Sequence, residues 1–234
     1  AEHAGIRTLV VAADVSVSSK RERDLRNGFT MAGRPTAGSV LDALRHPGWL
    51  ARFLAGPRVA FGDQTADGRP MTLRQMEAFM EHENASATWT DVAALRARWP
   101  GRIVVKGIMT PDDARAAMDV GADAIYVSNH GGRQFDAQPS TVAALPDVVA
   151  AVAGRVPLLV DGGVRRGSDV VKMSALGADL CFVGRPVVYG LVAGGSAGAR
   201  RVLDLLTEET AVALAFTGTV TLSGCGPAVL SPLS

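Results

Sequence analysis

The chain has 234 residues, of which 47% are hydrophobic, and carries a formal net charge of +1. That is enough apolar material for a substantial core in one good-sized domain, taken as 1–234. The near balance of 24 basic against 23 acidic residues, with no long basic block, argues against nucleic acid as a partner.

The first predicted element is a helix ending at Glu2 and His3 and beginning before residue 1, because "AGIRTLVVAAD" repeats the pattern of a helix-stopping glycine followed by a strand. Five apolar runs read as strands: "TLVVAAD" (8–14), "RIVVKG" (102–107), "AIYVSN" (124–129), "PLLVDGG" (157–163) and "LCFVGR" (180–185). They do not alternate with polar residues, which is the pattern of strands buried on both faces. The segment 30–83 is broken by Pro and Gly and interleaves Arg with Leu, Phe and Trp, so it reads as a long excursion serving as a lid or binding loop, with "PRVAF" a weaker strand candidate. "TPDDARAAMDVG" predicts a helix with Thr110 as N-cap, Pro111 in its first turn and Gly121 as its stop, and "RGSDVVKMSALG" predicts another stopped by Gly177. "VGADAIYVSN" and "LGADLCFVGR" repeat the stop, turn and strand. Strand and helix in regular succession predict parallel βα units.

The unusual polar residues cluster after the strands: Asp14 and Arg21, Lys106, His130 with Arg133, Asp161 with Arg165, and Gly184 with Arg185. In a closed parallel barrel this rim holds the active site, and the loops after the last two strands commonly bind phosphate. Taken singly each has an ordinary reading: Lys106 as a strand-end lysine reaching solvent, His130 as a turn residue, Gly162 and Gly163 as a simple turn. Together "VDGGVRRGSD" and "FVGRP" suggest a phosphate cradle, in which glycines let backbone N–H groups approach an anion and Arg165 and Arg185 clasp it. Cys181 and Cys225 form no CxxC motif or His cluster, so neither a metal site nor a disulfide is expected, and a reducing cytoplasm fits. No stretch approaches the ~20 apolar residues of a membrane span, and no signal peptide opens the chain.

The motifs "RERDLRNGF", "VVKGI", "SNHGGRQFD", "DGGVRRGSDVVK" and "GADLCFVGRPVVYGLVAGG" resemble the FMN-dependent (S)-2-hydroxy acid oxidase and dehydrogenase family, which includes lactate, glycolate and mandelate enzymes. The resemblance runs from Gly5 to about Leu222. It implies an α/β fold, the TIM (βα)8 barrel, of which this chain supplies about the C-terminal five units, with FMN at the rim and oxidation of a 2-hydroxy acid to the 2-keto acid. His130 matches the catalytic base that takes a substrate proton as electrons pass to flavin N5, and Asp14 matches the carboxylate that holds its tautomer. Arg133 and Arg21 match the pair that binds the substrate carboxylate. Lys106 matches the lysine beside flavin N1 and the C2 carbonyl, Ser128 a further flavin contact, and Asp161, Gly163, Arg165, Gly184 and Arg185 the ribityl and phosphate region.

Two features depart from the family pattern. Ala12 stands where many relatives carry a flavin-bonding threonine, and relatives have a preceding segment that supplies three barrel strands and two active-site tyrosines. The 30–83 excursion aligns with the loop that attaches mandelate dehydrogenase relatives to the membrane, so a cytoplasmic location with peripheral membrane contact is expected. The resemblance also implies a homo-oligomer, a tetramer in relatives. Two rival readings stay open: another FMN- or phosphate-binding barrel such as an isomerase, and a truncated, catalytically incompetent barrel remnant.

Overall fold

Runs of Val, Ile and Leu too short for helices form the strands, and capped amphipathic segments between them form the helices. The computed structural model describes residues 5–15, 22–28, 35–56, 61–64, 69–72, 75–76 and 87–230. In chain order the elements are β1 (Thr8–Ala12), α1 (Glu22–Arg26), α2 (Ala37–Arg45), α3 (Pro47–Ala55), β2 (Phe61–Gln64), β3 (Pro70–Met71), α4 (Trp89–Arg98), β4 (Arg102–Ile108), α5 (Pro111–Asp119), β5 (Ala124–Val127), α6 (Thr141–Val152), β6 (Leu158–Val160), α7 (Gly167–Ala175), β7 (Leu180–Cys181) and α8 (Arg185–Thr217). The chain divides into two units, one of Ala1–Val15 with Ser86–Ser234 and the other Ser16–Ala85.

In the larger unit the five predicted strands form one sheet in the order β1-β4-β5-β6-β7, with every neighbouring pair parallel. Successive βα units laid side by side in this way make part of a (βα)8 barrel. Alternation along each strand divides the side chains between two faces. Ile103, Val105, Ile125, Val127, Leu158 and Val160 join Ala114, Leu145, Val148 and Met173 of the helices in the main core. Val104, Ala124, Tyr126 and Leu159 form a second cluster on the opposite face. The expectation of burial on both faces holds for β4, β5 and β6 but not for the sheet's two edge strands. Val10 of β1 is 54% exposed and Leu180 of β7 is 56% exposed, because each has a strand neighbour on one side only. The strands also end earlier than the apolar runs suggest, so that Asp14, Ser128, Asp161 and Arg185 lie beyond them.

The predicted helix signals are in place. Thr110 Oγ1 accepts the Asp113 N–H at 3.2 Å and Pro111 opens α5. Gly121 and Gly177, with φ of +86° and +106°, turn the chain out of α5 and α7. The repeated "GAD" does more than stop a helix. Asp123 Oδ2 accepts the Ile103 N–H, and Asp179 Oδ2 accepts the Leu158 N–H, both at 2.7 Å. Each aspartate thereby stitches the start of its own strand to the start of the one before. α7 is fastened to α8 by Glu209, which accepts the Gly167 N–H at 2.9 Å and pairs with Arg166 at 2.8 Å. The Gly167 N–H and then the Arg166 side chain hold the Glu209 carboxyl below its usual range.

In the smaller unit, Thr36 caps α2 by accepting the Ser39 N–H at 3.1 Å, and Pro47 opens α3. Neither helix has a buried residue, and Trp49 stacks on Phe53 with centroids 5.1 Å apart. Of the weaker strand candidate "PRVAF", residues 57–60 lie outside the described residues, and Phe61 begins β2, which pairs antiparallel with β3. The expected helix end at Glu2 and His3 also lies outside them.

Asp179→Ala leaves the Leu158 N–H without its acceptor at the start of a buried strand. It is expected to lower stability by about 1–3 kcal/mol, read as a lower urea midpoint with an unchanged slope.

Candidate active site

A cleft of about 390 Å³ opens past the C-terminal ends of the larger unit's strands, lined by Lys106, His130, Arg133, Asp161, Arg165 and Arg185, with Gly163 and Gly184 in its wall. Asp14 and His130, 116 positions apart in the chain, meet behind this cleft because parallel strands present all their C-terminal ends to one side.

At the centre is Ser128, the first residue after β5, whose side chain is fully buried. Its Oγ accepts from Lys106 Nζ at 2.6 Å and from the His130 N–H at 3.1 Å, and donates to Asp161 Oδ1 at 2.7 Å. Lys106 Nζ is also 3.2 Å from Asp161 Oδ2. The ends of β4, β5 and β6 thus carry a half-buried ammonium and carboxylate bridged by one buried hydroxyl.

His130 has φ +53°, a left-handed backbone in a residue other than glycine, which persists only where the surroundings enforce it. Three bonds do so: the N–H to Ser128 Oγ, Asn129 Oδ1 accepting the Gly131 N–H at 3.0 Å, and Asp14 Oδ2 at 2.9 Å from His130 Nδ1. The Asp14 side chain is only 7% exposed. A carboxylate on Nδ1 makes that nitrogen the donor and leaves Nε2 as the acceptor. Asp14 is itself held by a close approach, since a Cβ on Gly107 (φ +98°) would fall 2.7 Å from Asp14 Cβ and Cγ. The other oxygen, Asp14 Oδ1, is buried without a hydrogen-bond partner among the described residues.

The remaining cations are differently placed. Arg133, Arg165 and Arg185 are exposed, and none pairs with a carboxylate among the described residues. Arg185 Nη2 donates to the Gly131 carbonyl at 2.9 Å, bracing the loop that bears His130 against the start of α8. The turn after β6 is drawn into α7 by Asp169 Oδ2, which accepts the backbone N–H groups of Arg165 and Arg166 at 3.0 and 2.9 Å. A Cβ placed on Gly163 or Gly184 would meet nothing within 4 Å, so the backbone there faces open space.

Of the site residues anticipated from sequence, Lys106, His130, Arg133, Asp161, Gly163, Arg165, Gly184 and Arg185 line one cleft, and Ser128 and Asp14 hold its members from behind. Arg21 lies outside the described residues. Three contributors went unnoticed in the sequence. Gly107 admits Asp14, although the "KG" pair after a buried run was a visible signal. Tyr126 and Phe182 bring two rings to the cleft with centroids 5.0 Å apart, and both sat inside runs legible only as strand. Among the described residues no cluster of His, Cys, Asp or Glu could hold a metal ion.

Comparison with known proteins follows the same lines. L-Lactate dehydrogenase of Vibrio parahaemolyticus is 41% identical over 228 residues, 95% of this chain and 59% of that protein. L-Lactate dehydrogenase of Xanthomonas campestris pv. campestris is 40% identical over 222 residues, 94% of this chain and 57% of that protein. Among solved structures, (S)-mandelate dehydrogenase, described as a monotopic membrane protein, superposes with a TM-score of 0.90 at 36% identity, covering 99% of this chain and 62% of that one. Mandelate oxidase gives a TM-score of 0.69 at 37% identity, covering 96% and 54%. The chain therefore spans less than two thirds of the length of these relatives. With a match to the FMN-dependent dehydrogenase family over residues 1–232 joining this strand-end geometry, the chain belongs to that family.

Proposed function

We propose that the protein is an FMN-dependent oxidoreductase that converts an (S)-2-hydroxy acid of the lactate or mandelate class to the 2-keto acid. The observation that carries this reading is the His130–Asp14 pair, 2.9 Å apart, opening onto a cleft with arginines that no carboxylate among the described residues neutralises. An isomerase would use the phosphate cradle but has no need of that pair beside a carboxylate clamp.

The residues present fit FMN. The unfilled backbone at Gly163 and Gly184, with Arg165 and Arg185 beside it, suits a phosphate. Asp161 suits ribityl hydroxyls, while Lys106 and Ser128 suit the polar edge of the ring. When bound, FMN would accept the two electrons and one of the two protons that the oxidation removes from the substrate. The chain's own groups do the rest. Arg133 orients the substrate carboxylate by a planar fork, and Arg21 is assigned the same task. His130 Nε2 takes a proton from the substrate, and Asp14 stabilises the imidazolium that results. Lys106 sets a positive charge against the negative charge that develops in the cleft.

The smaller unit supports attachment to a membrane surface. Leu41, Leu44, Trp49, Phe53 and Leu54 are exposed on α2 and α3 beside Arg45 and Arg52, and no helix among the described residues is long and apolar enough to cross a membrane. A lid over the cleft is the other task open to this excursion, which we read as part of a single catalytic domain. Assembly into a homo-oligomer belongs to the same reading, since α8 leaves Val192, Val212 and Phe216 exposed.

The purified chain is expected to quench FMN fluorescence on titration and, once loaded, to bleach without oxygen on addition of (S)-lactate or (S)-mandelate. Failure to bind FMN would favour a barrel remnant, and binding without bleaching by any 2-hydroxy acid would favour an isomerase-like relative. His130→Ala should slow bleaching by at least roughly 10²–10⁴-fold, the span of general base catalysis, with FMN affinity within about twofold. Arg165→Ala should do the reverse, weakening FMN by about tenfold or more, as for loss of a charge-assisted hydrogen bond. Ser128→Ala, which strips a shared partner from Lys106 and Asp161, should cost about 1–3 kcal/mol of stability in a thermal melt of the cofactor-free chain.

A further inference from the structure

Tyr126 lines the cleft beside Asp161, the carboxylate of the charge network that Ser128 centres. It lies on β5 in register with Lys106 of β4 and Leu159 of β6. Its side chain shares the inner cluster with Val104, Ala124 and Leu159, all aliphatic. Packing alone would be met by another aliphatic residue, and a phenol is the costlier choice here. Burial, and then the neighbouring Asp161 carboxylate, push its pKa up, so it stays neutral and its ring keeps an electron-rich face. Lys106 Nζ lies over that ring, 5.0 Å from its centroid, within the range of a cation–π contact. Phe182 packs against the same ring, tilted by 30°.

We propose that Tyr126 is a positioning residue for Lys106: its ring holds the ammonium in the cleft against the pull of Asp161, so that a directed positive charge faces the cofactor ring. The lysine is shared rather than captured. Its distance to Asp161 Oδ2, 3.2 Å, exceeds the roughly 2.7–2.9 Å of a full charge-assisted bond, while its bond to Ser128 Oγ is short at 2.6 Å. Without the ring, the ammonium would settle on the carboxylate as a near-neutral pair and present less charge to a ligand. This rests on the FMN reading for its consequence but not for its geometry, and the two are tested separately.

The chain has three lysines, Lys20, Lys106 and Lys172, so ¹³Cε-lysine labelling gives a spectrum in which Lys106→Met identifies the Lys106 signal. In the cofactor-free protein the Lys106 Hε protons should be shifted upfield by the ring, retain that shift in Tyr126→Phe and lose it in Tyr126→Leu. In FMN titrations Tyr126→Leu should weaken binding by about five- to tenfold, the scale of one partly desolvated cation–π contact, with Tyr126→Phe within twofold of wild type. In the Lys106→Met background Tyr126→Leu should have no further effect. A Lys106 signal unchanged by Tyr126→Leu overturns the proposal. So does a loss of FMN affinity as large in Tyr126→Phe as in Tyr126→Leu, or one that persists without Lys106. If wild type binds no FMN, the functional reading falls, and the Lys106 shift still decides whether Tyr126 positions it.

Discussion

One buried oxygen ties the site together. A hydroxyl has one proton to give and two lone pairs, and Ser128 Oγ uses all three, toward Asp161, Lys106 and the His130 backbone. Those partners sit at the ends of β4 and β6, the strands that flank β5, and on the loop that carries His130. The distances between the charged groups are thereby set by the sheet's own spacing and not by long flexible side chains. Solvent has no access to this oxygen, so nothing can substitute for a missing partner, and the network is either complete or costly.

The same logic explains why a strained histidine is tolerated. A left-handed backbone at a residue with a Cβ costs free energy, and here the Ser128 hydroxyl, the Asn129 amide oxygen and Asp14 all depend on it. The loop cannot relax at His130 without breaking a buried bond to the core. Arg185 completes the restraint from the other side by holding the Gly131 carbonyl, so the loop is pinned to both β5 and the start of α8. Restraint at His130 is thus a property of the barrel rim as a whole.

How much of this was legible in the sequence differs by kind of interaction. Five uninterrupted apolar runs separated by capped helices read as a parallel sheet of βα units, so the fold class followed from pattern, while the barrel came with the family resemblance. The charged residues after those runs had to share a rim, so most of the cleft followed with them. What did not follow were contacts made across strands. Asp123 and Asp179 looked like parts of a helix stop, yet each accepts a bond from the preceding strand, a pairing that register alone reveals. Tyr126 read as one more β-forming aromatic, and only the facing of Lys106 and Phe182 gives it a different meaning. The exposure of Val10 and Leu180 was equally hidden, since an apolar run does not say whether its strand has one neighbour or two.

The cleft's charges fall into two sets that suit two different jobs. Lys106 and His130 each have a carboxylate partner, Asp161 and Asp14, whereas the guanidinium groups of Arg133, Arg165 and Arg185 have none among the described residues. An unneutralised, exposed arginine attracts an anion as soon as it arrives and holds it equally before and after reaction, which gives affinity and orientation but no acceleration. A cation that shares its charge with a carboxylate contributes less to that first encounter than a free one. It responds when charge moves: the Asp14 carboxylate gains interaction energy when His130 becomes cationic, and the Lys106 ammonium gains when negative charge appears in the cleft. Because these paired groups are the more buried ones, that gain is realised where solvent screens least. On the proposed function, the exposed arginines would carry ground-state binding and the pairs anchored on Ser128 and β1 would carry differential stabilisation, and the proposed oxidation of a small anionic acid needs both.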